Sequence, residues 1–129
     1  MVLEREGKKP VQGPSEAQIA QALSRTKRSF ASITASDGAF LQVGGGPGLF
    51  VLERRTAQGS HFRAYQETPV VRFEDGTVLA FSGSELKLQR DEWFLIHQAT
   101  AAFFAFAQSR PLPEFIRWKS LDESYAYAR

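Results

Sequence analysis

The chain has 129 residues, 43% of them apolar and 12% aromatic with eleven Phe, and 23% charged. That is enough apolar material for one packed core and too much for wholesale disorder, and no stretch approaches the roughly 18–20 apolar residues of a membrane helix. The complete absence of Cys removes disulfides, thiolate metal sites and Cys nucleophiles together.

Sixteen basic against fourteen acidic residues give a net charge of +2, unevenly spread. Residues 1–28 hold six basic and three acidic side chains, which leaves ten and eleven for the rest. The stretch 67–92 is acidic, with Glu67, Glu74, Asp75, Glu85, Asp91 and Glu92 against Arg72, Lys87 and Arg90. A phosphate-binding face gathers cations on the folded body, so neither nucleic acid nor a membrane is the expected partner.

Residues 1–14 mix charges with Gly7, Pro10, Gly13 and Pro14 and carry no apolar period. They read as a loose leader before a single α+β domain over 15–129. Charges in MVLEREGKK occupy the place of a signal's apolar stretch, so a cytoplasmic location is expected. Ser15 with Gln18 three residues later fits a capping box, and Ile19, Ala22, Leu23 and Thr26 form one helical stripe ending near Lys27-Arg28. Strands are expected over 30–34, 39–43, 49–55, 61–66 and 85–88, with Gly44-Gly45-Gly46-Pro47-Gly48 as a mobile turn. Asp75-Gly76 between VVRFE and TVLAF predicts a hairpin with a type I′ turn. Short connections imply an antiparallel meander. A long helix is expected from Asp91 to Ser109, stopped by Pro111, with Ile96, Ala99, Phe103, Phe106 and Ala107 on its inner face. The same wheel puts Phe94 about 180° from Phe103, on the wet side. Residues 114–118 alternate as a final edge strand.

The chemical motifs are sparse. GGGPG runs into a strand with no Lys nearby, unlike a phosphate loop. His61 and His97 are 36 positions apart and lack metal-ligand spacing, so no metal site is expected. Glu74-Asp75 and Asp91-Glu92 occupy a turn and a helix start, where carboxylates serve structure. No Ser lies in a GxSxG elbow. No catalytic residue and no cofactor is therefore assigned. A hydrolase would need His97 within hydrogen-bond reach of a carboxylate in a cleft.

The C-terminal third carries a resemblance. Ala101-Ala102-Phe103-Phe104, then Arg110-Pro111, then Ile116-Arg117-Trp118-Lys119-Ser120-Leu121, resembles the ending of bacterial polymorphic-toxin immunity proteins of the first-numbered immunity family. The resemblance covers about thirty residues. It implies an antiparallel sheet with a long C-terminal helix, and stoichiometric neutralisation of a cognate protein toxin, often a nucleic-acid-targeting enzyme. On that expectation the partner surface comprises Glu67, Glu74 and Asp75 with Gly45, Gly46 and Phe94, where carboxylates enter a basic cleft. The alternative is a small-ligand-binding or chaperone-like module, with an apolar pocket bounded by Phe40, Phe50, Phe62 and Phe103.

Overall fold

The computed structural model describes residues 1–122. Its centre is an antiparallel sheet built from β3 (Ser29–Thr34), β4 (Phe40–Gly45), β5 (Leu49–Arg55) and β6 (His61–Tyr65), each paired with the next as a meander. Beyond β3 lie β1 (Val2–Arg5) and β2 (Val11–Gln12), and beyond β6 lies β10 (Arg117–Ser120), the last strand on that edge. The free side of β5 is shared: β6 pairs with Glu53–Arg55, while the two-residue β9 (Phe94–Leu95) pairs with Leu49 and Phe50. A separate hairpin, β7 (Thr77–Phe81) and β8 (Ser84–Leu88), packs on one face.

Strand alternation divides the apolar residues between two cores. Ala31, Ile33, Leu41, Val43, Phe50 and Leu52 point to the side covered by α1 (Glu16–Ser24) and α2 (Ile96–Ala107), where Ile19, Leu23, Ala99, Ala102 and Phe103 meet them. On the opposite side Val51, Leu79, Leu88 and Trp93 form a smaller cluster beneath the hairpin. Phe81 of the hairpin lies so close to Gly44 that a Cβ there would sit 2.6 Å from the ring. A side chain at position 44 would force the Phe81 ring to shift.

The capping box forms as its spacing predicts: the Ser15 hydroxyl accepts from the Gln18 N–H, and the Gln18 side chain accepts from the Ser15 N–H. The helix ends at Ser24, however, short of Lys27-Arg28, with Arg25 as its C-cap. Residues 1–14 are not a loose leader. Leu3 is buried opposite Ile33, and β1 pairs with β3 along Val2–Arg5. The short apolar alternation of VLER is completed only by its partner strand.

Three further expectations are corrected. Residues 70–74 form no strand, and the hairpin turns at Ser82-Gly83, whose φ values of 50° and 75° satisfy a type I′ turn. With this register Leu79, Leu86 and Leu88 share one face over Val51 and Trp93. The C-terminal helix has 12 residues, because 90–92 form a 3-10 turn and Trp93 to Leu95 are extended. The helical wheel therefore does not apply to Phe94, which is completely buried opposite Phe50. Finally, the last strand is displaced three residues to Arg117–Ser120, although it is an edge strand as expected.

Candidate partner-binding surface

The segment following β6 starts from an internal anchor. Gln66 is buried; its amide donates to the Trp93 carbonyl at 2.8 Å, and its Oε1 accepts from Gln98 at 3.0 Å. Its N–H also donates to the Asp91 carbonyl. Val70 and Val71 pack into the smaller core, and the Phe73 ring meets Trp93 edge-on at 4.9 Å. At the far end Asp75 accepts from the Arg90 N–H at 2.7 Å, and the Gly76 N–H donates to the Leu88 carbonyl. Residues 66–76 are thus an irregular but anchored loop that tucks Val70 and Val71 inward and leaves the Phe73 ring partly exposed.

The expected carboxylates all lie on its outer side, although they do not form a free acidic patch. Glu67 pairs with Arg117 at 2.6 Å, and Asp75 lies 4.0 Å from the Arg90 guanidinium. Glu74 is exposed and makes no ion pair among the described residues. Glu67 and Asp75 line one groove of about 430 Å³ with Arg90 and Lys119, while Glu74 and Phe73 line an adjoining one of about 550 Å³. Phe73 is 39% exposed, and Phe115, 43% exposed, shares a third groove with Glu67 and Arg117. These two rings had no distinguishing pattern in the sequence: their exposure follows from the irregular path of the chain.

The other expected surface residues fall elsewhere. Gly45 is buried within β4, and Phe94 belongs to the main core. The 44–48 connection is held at three points and is not a free turn. The Gly46 carbonyl accepts from the Arg28 N–H, the Gly46 N–H donates to Leu49, and the Gly48 carbonyl accepts from Ile96. Gly46 has φ +83°, and a Cβ there would lie 1.9 Å from the Thr26 carbonyl oxygen. Glycine is needed because the end of α1 and this turn touch backbone to backbone.

Beside the loop, the sheet face opposite the helices carries a connected set of charges. Arg63 bonds Glu53 at 2.8 Å and lies 3.6 Å from Glu92, which Lys119 reaches at 3.2 Å. Glu92 is almost fully buried, and its other oxygen accepts from the Gln89 N–H. The carboxylates legible as an acidic centre are consequently spread among basic partners contributed by β6, β10 and the loop after β8. On the helix side Arg54 stacks on Phe62 and Trp118, 5.2 and 4.7 Å from their centroids, and burial lowers its pKa below the ordinary guanidinium value.

His97 is exposed and has no carboxylate partner among the described residues, while His61 is half-buried with its ring edge-on to Phe40. Among the described residues no group of three or more His, Asp or Glu has metal-site geometry. No described helix is long and apolar enough to cross a membrane. The predicted four-Phe pocket does not assemble: Phe50 and Phe103 are fully buried in the main core, while Phe40 stands on the opposite sheet face beside His61. Neither known family models nor curated proteins give a match to this chain.

Proposed function

We propose that this chain is a non-catalytic immunity-type protein that binds and neutralises a co-encoded bacterial toxin. The observation that carries the proposal is the anchored 66–76 loop, which presents Phe73 beside Glu74, a carboxylate with no ion pair among the described residues. An aromatic ring on a pre-ordered loop is a suitable contact anchor, because little conformational freedom is lost when a partner covers it. Phe115 and the Glu67–Arg117 pair extend the same surface. The C-terminal resemblance supports the assignment to this class, and its quoted residues fall on α2, the Arg110-Pro111 bend and β10.

Because Glu67 and Asp75 already have basic partners, their contribution is to orientation and association rate, while the ring supplies dwell time. Co-expression with the product of the adjacent gene tests the function. Rescue of growth with a stable complex is the expected result, and undiminished toxicity without a complex refutes it. Within a complex, Phe73→Ala should accelerate dissociation by about tenfold or more, the scale of losing an interface hot spot. Reversing charge at Glu67, Glu74 and Asp75 should instead slow association at low salt. Unchanged kinetics in both variants would remove the loop from the interface.

A further inference from the structure

We propose that the cleft between the β1–β2 hairpin and α1 binds a small phosphorylated molecule with a flat aromatic ring, of nucleoside-diphosphate type. The cleft has a volume of about 190 Å³, with Leu3, Val11 and Ala22 contributing apolar walls and Arg5, Lys8, Lys9 and Arg25 contributing cations. A cavity of about 150 Å³ admits benzene, so this space accommodates a ring while phosphates remain at the open, cationic rim. Gln18 and Gln21 also line it; the Gln18 Oε1 is taken by the Ser15 N–H, which leaves its amide NH2 and the Gln21 side chain for a ring edge. The four cations come from a segment that looked like an unstructured leader and from the end of a helix. Pairing of β1 with β3 is what brings them to one place.

Among the described residues no acidic side chain lines the cleft, and none of its four cations forms an ion pair. Two nearby carboxylates are engaged elsewhere: Glu6 accepts from the Ser29 and Ser82 hydroxyls, each at 2.6 Å, and Glu16 accepts from Gln108. The C-terminal end of α1 opposes an anion with an effective charge of about half an electron. Arg5 already donates to the Arg25 carbonyl there at 3.0 Å, and four positive side chains outweigh that half charge. Two phosphates at the rim match this cation count better than one carboxylate, and guanidinium groups favour phosphate through paired N–H donors. The cleft shares no lining residue with the 66–76 surface, so its ligand is independent of toxin binding.

Calorimetric titration of the full chain with ADP, pyrophosphate and adenosine tests the site. ADP should bind about tenfold more tightly than either fragment, because each lacks one of the two recognised parts. The double variant K8E/K9E, altered at two exposed positions of the β1–β2 turn, should weaken ADP by about tenfold or more at an unchanged melting temperature. Arg25→Ala should act in the same direction, and Glu74→Lys on the other surface should leave ADP binding unaltered. The proposal is overturned by undetectable ADP binding, by pyrophosphate binding as tightly as ADP, or by ADP binding that survives both cleft variants. Tighter binding of a single-stranded oligonucleotide than of ADP also overturns it, since the cleft then serves a strand.

Discussion

Replacing Phe94 by Ala separates a core role from a surface role in one measurement. The ring is 0% exposed and packs in the main core where β9 meets Phe50. Truncating a fully buried Phe removes its transfer free energy and leaves a cavity, at a cost of about 3–5 kcal/mol. Domains of this size have about 5–15 kcal/mol in total, so the variant loses a third or more of a mid-range stability. The melting temperature should fall on the order of 10–20 °C. Urea unfolding followed by the fluorescence of Trp93 and Trp118 measures the loss directly, with an unchanged slope as the check on two-state behaviour. Phe73→Ala is the companion: 39% exposed and resting on Trp93, it should cost about 1 kcal/mol and act mainly on partner binding. A Phe94→Ala protein within about 1 kcal/mol of the wild type would refute the buried placement.

Other perturbations test separate contacts. Gly46→Ala should destabilise by about 2–4 kcal/mol, combining a left-handed backbone with a Cβ driven into the Thr26 carbonyl. Gly48→Ala, with φ +79° but open space around its Cβ, should cost only the backbone part, about 1–2 kcal/mol, and the two melts compared on one scale check this. Glu92→Ala strips Arg63 and Lys119 of a buried partner and should cost about 2–3 kcal/mol, reduced from a fully buried pair because Lys119 is half exposed. Glu92→Gln keeps an acceptor for the Gln89 N–H and should unfold at a higher urea concentration than Glu92→Ala. The Glu6 carboxyl is held below its usual 4.5, chiefly by the Ser29 hydroxyl and then by Ser82. A depressed folded-state pKa stabilises the fold above the unfolded-state value and ceases to do so as pH falls through the folded-state value. The stability difference between wild type and Glu6→Ala should therefore shrink below pH 4.5 in acid unfolding series, and a difference that grows there would contradict the hydroxyl pairing.

Local signals identified the elements whose partners are their neighbours in the chain. Ser15 and Gln18 define a helix start by hydrogen bonds within one turn, and the alternating runs of β3 to β6 find partners across short connections. Where two pairings were available, spacing alone did not choose. Asp75-Gly76 and Ser82-Gly83 both offer a two-residue turn, and burial of Leu79, Leu86 and Leu88 over Val51 and Trp93 selects the second. The carboxylates of the candidate surface were legible as charges, but their basic partners come from β10 and the turn after β8. Their neutralisation was not legible.

The sequence by itself determined an α+β chain without thiol chemistry, its capped first helix and the central antiparallel meander, because composition and short-range periodicity suffice for these. Only the tertiary structure decided that Phe94 is core, that Phe73 and Phe115 face solvent, and that Val2–Arg5 and Val11–Gln12 join the sheet. Each of those outcomes depends on which distant segment covers a face or completes a strand pair. The net positive charge shows the same division: its amount is composition, but its concentration around Arg5, Lys8, Lys9 and Arg25 is a product of folding.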